Sequence, residues 1–212
     1  AFEAKDAEAT KTKTEALDAA WMAASEEMYA AGQRAFGENY LQEALDKIDA
    51  LQDLDIEWHF IGHVQRNKTK HLAEQFDWVH GVDRLIIAER LSNQRGDDQA
   101  ALNICLQVNI DGQESKDGCA PEDVAELVAQ MSQLPKIKLR GLMVIPAPDN
   151  TGAFADAKKL FDAVKVQHAH PEDWDTLSMG MSGDLEAAIA AGSTMVRVGT
   201  ALFGARDYSQ KG

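Results

Sequence analysis

Short runs rich in β-branched and aromatic residues alternate along the chain with amphipathic stretches. The runs AFGEN (35–39), EWHFIG (57–62), WVHGVD (78–83), NICLQVNI (103–110), LRGLMVIP (139–146), DTLSMG (175–180) and TMVRVGTALFG (194–204) read as strands. Between them, YLQEALDKIDALQ (40–52), NKTKHLAEQF (67–76), RLIIAERLSNQ (84–94), PEDVAELVAQMSQL (121–134), TGAFADAKKLFDAVKVQH (151–168) and GDLEAAIAAG (183–192) repeat apolar residues at helical spacing. Pro121, followed by Glu122 and Asp123, suits a first helical turn, where a missing N–H costs nothing and acids oppose the dipole. Strand and helix in strict succession is the pattern of parallel βα units. The series predicts an α/β protein, a single (β/α)8 TIM barrel whose first strand is atypical or disrupted; an open doubly wound sheet is the alternative. No linker or composition break divides residues 1–212. They are expected to form one domain, with 1–31 as an atypical amino-terminal segment.

In such a barrel the active groups gather where strands end and βα loops begin. Those ends carry Glu38 and Asn39, His59 and Gly62 to His63, Asp83, Asn109, Met143 to Pro146, Ser178 to Ser182, and Arg197 with Gly199 and Thr200. The stretch SMGMSGDLEAAIAAGSTMVRVG (178–199) is unusual in placing Gly180, Ser182, Gly183, Gly192, Ser193 and Gly199 around two strand ends. Groups without bulk let backbone N–H donors approach an anion, and the start of GDLEAAIAAG offers unpaired N–H groups and a favourable dipole. Loops after the last two strands of such barrels commonly bind phosphate. Ser182 or Asp184 capping the helix and Gly192 ending it is the purely structural alternative.

Composition narrows the partners. The 212 residues carry 21 basic and 35 acidic groups, a net charge of −14, with no lysine or arginine cluster. Nucleic-acid binding, which needs a basic surface to displace counterions, is disfavoured. The two cysteines, Cys105 and Cys119, have neither metal-site nor disulfide spacing, and no metal is expected. No apolar stretch reaches the ~18 residues of a spanning helix, and the opening AFEAKDAEATKTKTEA lacks the order of a signal peptide. A cytoplasmic protein without membrane contact is the expectation.

FGENYLQE (36–43), WHFIGHVQRNK (58–68), RGLMVIPAP (140–148), SMGMSGD (178–184) and AAIAAGSTMVRVGTALFGARDY (187–208) resemble the pyridoxal phosphate homeostasis protein family, also called YggS or PROSC. The likeness runs from about Gly32 to the carboxyl end. It implies a barrel similar to the amino-terminal domain of alanine racemase, binding pyridoxal 5′-phosphate (PLP) as a Schiff base on a lysine. It also implies a monomeric carrier or regulator of intracellular PLP and amino-acid balance, delivering to PLP-dependent apoenzymes, rather than an enzyme. Carried over by position, Ser182, Gly199 and Thr200 cradle the phosphate, Arg197 lies by the pyridine ring, Asn39 and His59 line the pocket, and Met181 adds a contact. A guanidinium beside the ring nitrogen keeps that nitrogen unprotonated and weakens the ring as an electron sink.

The departure from the family falls where the covalent lysine belongs. Members carry an apolar strand ending in a motif like S-K-T-K-P; here the nearest match is TKTKT (10–14), preceded by AFEAKDAEA, with almost no strand character. Lys11 is the candidate Schiff-base lysine, with Lys13 and Lys5 as alternatives. Such a lysine needs desolvation or a cationic neighbour to lower its pKa. Two other classes remain open: a PLP-dependent racemase-like enzyme, and a barrel that binds phosphate ligands without covalent PLP. A two-base racemase needs a tyrosine supplied by a second domain and a dimer. The sequence shows no element to supply it.

Overall fold

The computed structural model describes residues 23, 24, 26–113, 116–148, 150 and 152–204. Contacts divide the chain into a large unit, Ala35–Arg197, and a second one made from the described parts of 1–34 and 198–212.

The large unit holds seven strands: β1 (Ala35–Glu38), β2 (Glu57–Phe60), β3 (Trp78–Val82), β4 (Leu102–Val108), β5 (Ile137–Val144), β6 (Thr176–Met181) and β7 (Met195–Arg197). They pair in sequence order and every pair is parallel. Helices α1 (Leu41–Ala50), α2 (Thr69–Gln75), α3 (Leu85–Gln94), α4 (Val124–Met131), α5 (Ala153–Val164) and α6 (Leu185–Ala190) fill the crossovers. Pro121–Asp123 forms a 3-10 turn that leads into α4, with Pro121 in its first positions.

Contacts across the strands decide between barrel and open sheet. Trp78 of β3, Cys105 of β4 and Met143 of β5 pack as one buried cluster, with Met195 of β7 against it. His80 of β3 reaches Ser178 of β6 at 3.0 Å. In a flat sheet, strands three places apart are separated by roughly 14 Å, at about 4.8 Å per strand, so the sheet must curl for these side chains to touch. The result is a nearly closed barrel with an unsealed seam: no β1–β7 pairing occurs among the described residues. The eighth strand expected ahead of β1 would lie outside the described residues.

A second apolar layer covers the outside of the sheet. Leu72, Ile87, Leu91, Val124, Val128 and Met131, the apolar positions of α2 to α4, are fully buried. Each such side chain contributes about 1.5–3 kcal/mol on leaving water, which is why the amphipathic period predicts these helices well. Trp174 stacks on Phe161 of α5 at 5.1 Å and donates its indole N–H to the Phe161 carbonyl.

One strand boundary differs from the sequence reading. TMVRVGTALFG does not run as a single strand: β7 ends at Arg197. Beyond it, in the second unit, Gly199 adopts φ −126° and ψ −71°, and its carbonyl accepts the N–H groups of Leu202 and Phe203, opening the short helix α7 (Thr200–Phe203). Apolar runs of this length do not reveal such a break by periodicity. Residues 26–30 of the same unit are helical and end in a turn at Gly32. Among the described residues, no helix is long and apolar enough to cross a membrane.

Candidate functional site

The carboxyl-terminal ends of β1, β2 and β3 are pressed together by glycines. An added Cβ on Gly62 would overlap the Asn39 carbonyl, and one on Gly81 would lie 2.5 Å from the Gly62 carbonyl oxygen. The glycine of WHFIGH therefore allows two βα loops to pass in contact. Asn39, immediately beyond β1, shares by strand alternation the face of Gly37, the register partner of His59.

The end of β6 and the connection to β7 hold small residues of two kinds. Gly180 sits at φ +94°, where L side chains are strained, and an added Cβ would come within 2.5 Å of the Ala188 Cβ. Gly192, at φ +99°, closes α6 with its N–H on the Ile189 carbonyl. The Ser193 hydroxyl lies against the Leu177, Met179 and Met195 carbonyls, tying β6 to β7. These three residues have structural work. Gly183 does not: a Cβ there would meet nothing within 4 Å, and its N–H has no partner among the described residues. The Asp184 side chain makes no cap bond to α6; instead its Oδ1 accepts the Met181 N–H at 2.6 Å, folding the loop back on the strand end. With six residues, α6 contributes little helix dipole to this loop.

Inside the barrel a file of polar side chains runs from the start of β2 to the end of β7. His59 Nε2 lies 2.8 Å from Glu57 Oε1, His59 Nδ1 is 2.9 Å from His80 Nε2, and His80 Nδ1 is 3.0 Å from Ser178 Oγ. Arg197 Nη1 donates to Ser178 Oγ at 2.7 Å and its Nη2 to the Val144 carbonyl at 3.1 Å. His59 is 4% exposed and stacks on Trp78 at 5.2 Å; His80 and Ser178 are fully buried. At the amino-terminal end, Arg140 pairs with Asp175, donates to Asn103 and lies over the Trp78 ring at 4.8 Å.

Burial sets the charge states. It lowers the Arg197 pKa to about 10, which leaves the guanidinium charged at neutral pH. Burial also holds His80 well below the usual imidazole range, with His59 and Arg197 adding to the effect, so His80 is neutral. The hydrogen bond from His59 lowers Glu57, which stays ionised. Burial raises both thiols, Cys105 and Cys119, to about 12, making them inert core groups rather than nucleophiles.

Of the residues singled out in the sequence, Asn39, His59, Met181, Ser182 and Arg197 fall in the large unit. Met181 ends β6 and is 37% exposed. Gly199 and Thr200 belong to the second unit, where Gly199 is equally open to an added Cβ. Lys11, Lys13 and Lys5 lie outside the described residues. Sequence reasoning missed His80, Glu57 and Arg140; the available signal was parity, since Glu57 and His59 alternate in EWHF and His80 alternates with Trp78 and Val82 in WVHGV, the inward set of a barrel strand. No group of three metal-ligating side chains occurs among the described residues.

The family model for the alanine racemase N-terminal domain matches residues 8–207. The pyridoxal phosphate homeostasis protein of Pseudomonas aeruginosa is 56% identical over 191 residues, covering 88% of this chain and 80% of its own length. The protein of the same name from Escherichia coli is 52% identical over 189 residues, covering 85% and 80%. The solved structure of PipY from Synechococcus elongatus with PLP bound has a TM-score of 0.78 and 42% identity, covering 86% of this chain and 87% of its own. These curated relatives are named for homeostasis and not for a catalysed reaction.

Proposed function

Because the chain belongs to the alanine racemase N-terminal domain family, among its pyridoxal phosphate homeostasis proteins, we propose that it binds PLP at the carboxyl-terminal rim of the barrel. There it acts as a cytoplasmic, monomeric carrier or regulator of PLP and amino-acid balance, supplying PLP-dependent apoenzymes. The observation that carries this reading is Arg197: a charged, partly buried guanidinium anchored at the rim of a strongly acidic protein, its Nε–H without a partner among the described residues.

The donor set fits an organic phosphate. The N–H of Gly183 has no partner among the described residues and space is open at its Cβ position, and the sequence motif assigns Ser182 beside it to the phosphate. The sequence motif assigns Gly199 and Thr200 to the phosphate as well, and Asn39 and Met181 to the pocket wall. Arg197 would lie at the pyridine nitrogen and keep it unprotonated, which suits storage of the cofactor over general carbanion chemistry. His59, with both ring nitrogens engaged, serves the site from within the barrel. Bound PLP supplies an aldehyde that a lysine holds as a Schiff base, and Lys11 is the residue we assign, ahead of Lys13 and Lys5.

The test is to incubate the full chain with PLP, reduce it with borohydride and locate the modified residue by mass spectrometry. A yellow protein modified at Lys11 is expected, with Lys11→Ala colourless. A chain that stays colourless while binding inorganic phosphate would favour a phosphate-only barrel. Loss of the α-proton from labelled amino acids would favour a racemase-like enzyme.

A further inference from the structure

The hydrogen-bond directions inside the barrel follow from charge. The ionised Glu57 accepts, so His59 Nε2 carries a proton. With His59 neutral, its Nδ1 is an acceptor, and His80 Nε2 must donate to it. His80, being neutral, then offers a bare Nδ1, to which the Ser178 hydroxyl donates, leaving the Ser178 lone pairs to Arg197. In that arrangement every bond from Arg197 to Glu57 points the same way, and it requires both rings to carry their single proton on Nε2.

One added proton reverses the order. If His59 carries protons on both nitrogens, its Nδ1 donates to His80 Nε2 and the His80 proton sits on Nδ1. Ser178 Oγ then receives donors from both His80 and Arg197, and its own hydroxyl hydrogen turns out of the file. No heavy atom need move. In the first arrangement, giving its proton to an imidazole strengthens Ser178 as an acceptor for Arg197; in the second, two donors share it.

We propose that Glu57, His59, His80 and Ser178 are positioning residues for Arg197, and that protonation at the Glu57–His59 end, on the face of the barrel opposite the rim, loosens the guanidinium and weakens ligand binding there. This is regulation of the site assigned above and rests on that reading. Glu57 is the entry point: its side chain is 49% exposed, whereas that of His59 is 5% exposed. The other charged or titratable groups facing the file are Arg140 of β5 toward Glu57, Asp175 at the start of β6 paired with Arg140, Cys105 of β4 toward Arg197, and Asp184 of the β6 loop toward Arg197. Burial keeps His80 from taking the proton itself.

Two measurements test the file. In the nitrogen-15-labelled full chain without PLP, long-range proton–nitrogen spectra are expected to show His59 and His80 both as Nε2–H forms at pH 8. On acidification the His80 proton moves to Nδ1 and the Arg197 guanidinium resonances shift in the same transition. In Glu57→Gln, which alters a half-exposed side chain, the transition moves to lower pH because the neutral amide no longer favours the added proton. A His80 Nδ1–H form at pH 8, or Arg197 resonances that ignore the transition, overturns the proposal. The second measurement is PLP affinity across that pH range: a drop of roughly threefold to tenfold, the weight of one net hydrogen bond, is expected in the unsubstituted chain and is absent in Ser178→Ala. The same step surviving in Ser178→Ala overturns it. If PLP binds at no pH, the cofactor reading falls, and the Arg197 resonances alone decide the file.

Discussion

Gly180, near the end of β6, and Gly183, in the turn that follows, stand three residues apart and are the same residue for opposite causes. Gly180 is required by the protein itself, through a left-handed φ and the Ala188 side chain against it. Gly183 is required by no contact among the described residues: its φ lies outside the left-handed region and no described atom lies within 4 Å of the position where a Cβ would go. On the function proposed above, a bound phosphate would account for a glycine that neither backbone strain nor packing among the described residues explains. Small residues in a loop are therefore not one signal but two, separable only with coordinates.

The contrast can be broken by substitution. Gly180→Ala has the largest expected effect: left-handed strain together with the Ala188 overlap costs about 2–4 kcal/mol in urea unfolding, while the protein that remains folded binds PLP as before. Gly183→Ala is expected to leave stability within about 0.5 kcal/mol and to weaken PLP binding by roughly tenfold in an equilibrium titration. Equal stability losses in the two variants would erase the distinction. Ser193→Ala gives the smallest change: removing a hydroxyl that joins β6 to β7 costs about 1 kcal/mol of stability and leaves PLP affinity unaltered.

Much of the barrel is legible in the sequence because each βα unit carries its own period, and β2 to β6 lie where their apolar runs place them, within a residue or two. The barrel's end is less so. β7 and α7 share one apolar run, and only the backbone of Gly199 separates them. Arg197 stands out as a lone cation between valines in a glycine-rich motif, and it does sit on the barrel interior. Its support does not stand out. His80 looks like one polar letter in an apolar strand, and Glu57 like the polar start of another; their link to Ser178, 98 residues from His80, exists only after the sheet curls. The expected opening strand and its lysine fall outside the described residues, and AFEAKDAEA offers neither strand period nor apolar character to read.

The most direct test is an experimentally determined structure of the full chain with PLP bound. The account predicts the phosphate within hydrogen-bond distance of the Gly183 N–H and the Ser182 hydroxyl, with the Arg197 guanidinium beside the pyridine nitrogen and still bonded to Ser178. A phosphate seated elsewhere, or a ring nitrogen facing an acidic side chain with Arg197 turned away, would contradict it.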